Sequence, residues 1–314
     1  MCRTANGCRN GIALLRVSAY PALDGSRSPD NRPLFLTQHS SDPERLGVMI
    51  VGDCDPTTQI AAIERSPHLA LQPRGEAGDQ LHDPSTHVVV VCTAPEDRSY
   101  WIEAGLAAGH WVVSPLPQKL PESTLVEGAR YRVDAPLAWS DVDADLQTRA
   151  RHTPNLSYVR ATIQIPARWV HGEGILLRWG AWLPLLLQRS LGPIDTLHAR
   201  SRCHRHDGLW EDHVLAHLTF ANGVEAHVEM DALGSEAEWH VDFLGGETPN
   251  SSTGDIRRER AGGLTTLYDS LGQVNPIDAV TGGRALREAM FLVYWIRQSA
   301  RLERMLTRRE ARRT

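Results

Sequence analysis

The chain has 314 residues, with 41% hydrophobic and 23% charged residues, the balance of a soluble globular protein. Its formal net charge of −5 gives no reason to expect nucleic acid as a partner. Five scattered cysteines make no disulfide framework and fit a reducing, cytoplasmic setting.

No run approaches the about 20 apolar residues of a membrane helix, so no membrane partner is expected. The longest candidate, Trp179–Gln188, is short and holds Pro184. Near the start, the apolar run Ile12–Leu15 is cut by Arg16 and is too short for a signal peptide. Residues 1–45, rich in Ser, Pro, Asp, Asn and Arg, read as a poorly ordered leader or as translated sequence upstream of the real start.

The pattern changes at Leu46. "LGVMIVG" (Leu46–Gly52) is a continuous apolar strand that ends in glycine, and "PTTQIAAIERS" after it carries helical signals. A second strand is expected over His68–Gln72 and a third, with four valines in a row, over Ser85–Ala94. A helix over Glu96–Gly109 leads into the strand "HWVVS". Strands and helices alternating at this spacing predict parallel βαβ units, and near-continuous apolar strands predict a sheet covered on both faces. The expected first domain is Rossmann-like and spans 46–143.

The second half, 144–314, alternates instead. Leu156–Ile165, Asp195–Arg205, Asp212–Ala221, Val224–Ala232 and Glu238–Gly245 predict an open, largely antiparallel sheet with one apolar and one polar face. Asn222-Gly223 marks a hairpin between two of these strands. A helix is expected over Ile175–Leu191 and a long closing helix over Gly283–Arg308, with a basic, solvated tail at Arg304–Arg313.

The stretch "LHDPSTHVVVVCTAPEDRSYWIEAGLAAGHWVVSPLP" resembles the glucose–fructose oxidoreductase / inositol dehydrogenase (Gfo/Idh/MocA) family. "GILLRWGAWLPLLLQRSLGPIDTLHARS", "LTFANGVEAHVEM" and "REAMFLVYWIRQSAR" continue the likeness in order. The resemblance covers roughly residues 46–305. It implies an α/β fold with an NAD or NADP site in the first domain and a sugar-like ligand in the cleft between domains. It also implies a homo-oligomer formed through the outer face of the second sheet.

The functional motifs depart from that pattern. The family's glycine-rich turn lets backbone approach a pyrophosphate at a helix N-terminus. Here "GDCDPT" keeps Gly52 but puts Cys54 and Thr57 at the other two glycine places, with Asp53 and Asp55 where an anion would sit. By resemblance, Gly52, Cys54, Thr57, Thr93 and Pro95 are the cofactor-site positions. No acidic residue for the adenosine ribose follows the second strand. Arg74 nearby is open to a 2′-phosphate or to a solvated loop role.

The resemblance implies a catalytic lysine, aspartate and histidine. Their places hold Leu116, Arg178 and Trp182, and Leu185 stands for a final aspartate. Gly180 keeps the register. Lys119, three residues past Leu116, is the candidate substitute. Leucine has no proton to offer a reacting hydroxyl.

Other constellations weigh less. Cys203, His204, His206, His213 and His217 match no closed zinc motif, and no metal is expected. On a strand His213 and His217 stand roughly 13 Å apart. Glu211, Asp212 and His213 form a candidate acid–base group, against the simpler reading of solvated charges. Cys92 reads as a small core residue. Cys54 as a reactive thiol is opposed by its flanking carboxylates. Trp169, Trp179 and Trp182 flank the expected cleft, as core or as stacking surfaces.

Two functions follow as expectations. One is a diverged binding or regulatory homologue without standard dehydrogenase catalysis. The other is an active NAD(P)-dependent oxidoreductase on a sugar or cyclitol, with a relocated acid–base group. Lyase or hydrolase chemistry finds no clear nucleophile–base pair.

Overall fold

The computed structural model describes residues 45–52, 56–73, 75–126, 129–170, 174–204, 210–271 and 283–313. The leader expected over 1–45 lies, apart from Arg45, outside them, as do Asp53, Cys54, Asp55, Arg74 and His206. Arg45–Thr314 pack as one compact unit built on two sheets.

The first sheet holds β1 (Leu46–Val51), β2 (Leu69–Leu71), β3 (Thr86–Val91), β4 (Trp111–Ser114) and β5 (Tyr131–Val133), all parallel, in the order β2-β1-β3-β4-β5. Val88–Val91 are buried on both faces, which is why this strand reads as an unbroken apolar run. Helices α1 (Thr57–Arg65), α2 (Ala77–Leu81) and α3 (Pro95–Ala107) connect the strands. Gly105 lets α3 approach the sheet closely, since a Cβ there would lie 2.7 Å from Val112.

After β5 come α4 (Pro136–Trp139) and α5 (Val142–His152). Helix α5 runs across the boundary expected at residue 143.

The second sheet runs β11-β10-β6-β9-β8-β7-β12, with β6 (Tyr158–Gln164), β7 (Ile194–Arg202), β8 (His213–Phe220), β9 (Glu225–Asp231), β10 (Glu238–Leu244), β11 (Asn250–Asp255) and β12 (Leu306–Thr307). Only the β6–β9 contact is parallel. Along β8, Val214, Ala216, Leu218 and Phe220 point inward and are buried, while the residues between them are half-buried. Gly223 closes the β8–β9 turn at φ 87°, and the Asn222 side chain accepts from the Val224 amide at 3.1 Å.

Between β6 and β7 the expected helix opens as one π-helical turn, Leu176–Gly180, before α6 (Trp182–Leu191). The Ala181 amide donates to the Leu176 carbonyl at 3.2 Å, the five-residue step that defines such a turn. Helices α7 (Ile256–Asp269) and α8 (Gly283–Leu302) follow the sheet.

The closing helix expected to Arg308 ends at Leu302. Glu303 turns the chain at φ 50°, because Leu306 is drawn into the core and pairs with Leu197 of β7. The tail is tied down at Leu306 and Ala311, which are buried, while Arg304, Arg309, Arg312 and Arg313 are exposed as expected. Its last helix, α9 (Arg308–Ala311), starts with a capping box between Thr307 and Glu310. The Thr307 amide and Arg304 hold the Glu310 carboxyl down to about 2.

Candidate functional site

In a parallel α/β sheet, ligands bind outside the carboxyl ends of the strands, where the strand order reverses. Here that place lies beyond β1 and β3. Gly52 ends β1 at φ 119°, and a Cβ on it would lie 2.4 Å from the Cys92 carbonyl and 2.6 Å from the Thr93 amide. Gly52, Thr93 and Pro95 are thus brought together at the strand ends. Thr57 opens α1 and is exposed. Arg98, buried on α3, ties two strand ends: it donates to the carbonyls of Thr93 (3.1 Å) and Leu116 (2.8 Å).

A buried polar group fills the next layer. Gln59, on the first turn of α1, donates to Asp134 Oδ2 at 2.9 Å. Asp134 follows β5, and its amide donates to the Ser114 carbonyl at 2.7 Å. Arg178, from the π-helical turn, pairs with Asp134 Oδ2 at 3.3 Å. The Tyr268 hydroxyl, on α7, donates to Gln59 Oε1. Burial pushes the Tyr268 phenol well above its ordinary range, with Cys92 and Asp134 acting in the same direction, so it remains a donor at neutral pH. Thr93 Oγ1 and Asp134 Oδ1 are buried without a hydrogen-bond partner among the described residues.

Of the three places of the implied catalytic set, two are apolar and closed. Leu116 and Trp182 are each 1% exposed. Arg178 faces Asp134, and its guanidinium is never a proton acceptor. Trp179 is also buried, and Trp169 stacks on it at 5.7 Å. Arg260 of α7 lies over both rings, at 5.9 and 6.0 Å. The core role holds for Trp179 and Trp182. Gly180 is required by packing, since a Cβ would lie 2.5 Å from Met230 Sδ.

Lys119 does not enter this group. Its side chain is exposed, and its carbonyl accepts from Ser99 on α3 at 2.6 Å. The charges expected to be solvated at the start of β8 are instead structural. Asp212 is 1% exposed and accepts from the His204 amide at 2.8 Å, and Glu211 pairs with Arg297 at 2.7 Å. His213 meets Glu229 at 3.2 Å and His217 meets Glu225 at 3.7 Å on the outer sheet face. Among the described residues no group of three His, Cys, Asp or Glu side chains is placed to hold a metal ion. Cys92 is buried in the core.

Sequence reasoning missed Gln59, Asp134 and Tyr268. Leu264, Leu267 and Tyr268 do carry helical spacing, which was the available signal for α7.

No protein-family model and no curated protein sequence matches the chain. Solved structures do. GenD2 from gentamicin A biosynthesis, crystallised with NAD, superposes with a TM-score of 0.70 at 15% identity, over 87% of this chain and 99% of that one. WlbA dehydrogenase from Bordetella pertussis, in complex with NADH and UDP-GlcNAcA, gives 0.66 at 16%, over 86% and 99%. A myo-inositol dehydrogenase from Corynebacterium glutamicum gives 0.65 at 10%, over 84% and 98%. The chain has the Gfo/Idh/MocA dehydrogenase fold. At the strand ends of this chain, Gly52 packs against the backbone that follows β3, and Gln59 is hydrogen-bonded to both Asp134 and Tyr268. Among the described residues no helix is long and apolar enough to cross a membrane.

Proposed function

We propose that this chain is a diverged member of the dehydrogenase fold that does not transfer hydride and serves as a binding or regulatory protein. The observation that carries the reading is the Asp134–Arg178 pair at 3.3 Å, together with the apolar, buried Leu116 and Trp182. Hydride transfer from an alcohol needs a group that takes the hydroxyl proton in the same step. Leucine, tryptophan and arginine cannot take it, and Asp134 is already engaged by Gln59 and Arg178. The purified chain, given NAD or NADP and a panel of sugars and cyclitols, should form reduced nicotinamide no faster than a blank. Sustained turnover would overturn the reading. The competing reading, an active oxidoreductase using Lys119, requires that turnover and its loss in Lys119→Ala.

A homo-oligomer through the outer face of the second sheet belongs to the same proposal. His198, His217 and His227 form a row across β7, β8 and β9, continued by Arg160 of β6 and Asp242 of β10. Such a mixed-charge, half-buried face suits a self-complementary contact. Sedimentation should give a multiple of the single-chain mass. A single-chain species at micromolar concentration would remove this part.

A further inference from the structure

We infer that α7 is a built-in occupant of the dinucleotide crevice, so that the helix and a dinucleotide exclude one another. The inference rests on the reading above and deepens it: the crevice is blocked by a separate element, not only stripped of its chemistry.

Three observations converge. Tyr268 hydrogen-bonds to Gln59, on the helix whose N-terminus faces the pyrophosphate in dinucleotide-binding folds. Gln59 in turn donates to Asp134, which follows β5, so the Tyr268 hydroxyl joins a hydrogen-bonded group that reaches from α1, which follows β1, to the end of β5. The contact repeats along the helix: Leu264 and Leu267 are buried, and Ser66 after α1 donates to Asp269 at 3.4 Å.

Helix α7 has one buried and one exposed side. Its outer side, with Arg257, Arg258, Gly262 and Thr266, is exposed. Gly262 and Gly263 sit at its centre, where glycine weakens a helix. At its start the Asp255 side chain accepts from the Arg257 amide at 2.7 Å, one turn on Arg260 lies over Trp169 and Trp179, and beyond the glycines Leu264, Leu267 and Tyr268 are buried. The half that carries Tyr268 lies beyond the glycines.

The test is calorimetric titration of the full chain with NAD and NADP, using wild type, Tyr268→Ala and Gln59→Ala. Each variant is first checked for native far-UV circular dichroism. Gln59→Ala opens the crevice from the α1 side and leaves α7 whole, so it serves if Tyr268→Ala does not fold. The wild type should show no binding at micromolar nucleotide, and at least one folded variant should bind at least tenfold more tightly than wild type. Hydrogen exchange of the α7 amides should quicken as nucleotide saturates the variant. No gain in any folded variant overturns the inference, because the α1 turn would then be the barrier. Micromolar binding by wild type with α7 still protected overturns it as well. Binding without turnover by wild type removes this inference and leaves the proposed function standing. Binding with turnover by Tyr268→Ala does the reverse.

Discussion

Arg178→Met should lower the unfolding free energy by about 3–5 kcal/mol, the cost of stranding a buried carboxylate. The carboxylate is Asp134, 2% exposed, whose Oδ1 already lacks a hydrogen-bond partner among the described residues. With the guanidinium gone, the Gln59 amide at 2.9 Å would remain against its charge. Methionine keeps the aliphatic length of arginine, so lost packing contributes little. The double variant Arg178→Met/Asp134→Asn removes both charges and should recover most of the loss. Urea unfolding of the single and double variants measures both. A single variant within about 1 kcal/mol of wild type would mean that the pair is solvated and unimportant.

Gly52→Ala should be the other severe exchange, at least about 3 kcal/mol, if the variant folds at all. Two penalties add: a side chain at φ 119°, and a Cβ 2.4 Å from the Cys92 carbonyl. The obstructing atoms are backbone and cannot swing aside. Gly109→Ala is the control, with φ 83° but nothing within 4 Å of its Cβ, and should cost only about 1–2 kcal/mol. Equal losses at the two sites would refute the close-approach argument. The comparison bears on function too. Gly52 is required by the packing of β1 against β3 whether or not a dinucleotide binds, so its presence does not argue for a cofactor.

Burial on both faces made the first sheet legible: Val88–Val91 could hardly be anything but a central strand. Strict alternation did the same for β6 to β10, and Asn222-Gly223 fixed the hairpin between β8 and β9. Elements with weak local patterns were not legible. Strand β12 has two residues, and α7 is broken in composition by Gly262-Gly263 and opened by arginines. The candidate site divides the same way. Leu116, Arg178 and Trp182 could be placed by resemblance to a motif. What replaced the missing chemistry could not, because the Tyr268–Gln59 bond joins residues 209 apart and Asp134 lies between a three-residue strand and a four-residue helix. Such contacts are made by the tertiary fold and leave no spacing to read.

The two-residue strand β12 has a consequence for solubility. The outer edge of β7 is sealed partly by Leu306 and Thr307 and partly by Ser299 of α8, whose hydroxyl accepts from the Ala199 amide at 3.0 Å. Unsealed sheet edges are templates on which other chains add strands. A chain truncated after Leu302 would keep its sheet and both crevice walls yet expose that edge, together with the apolar groove left by Leu306. It would be lost to aggregation rather than to any defect in its site, and the short tail is best understood as the guard of that edge.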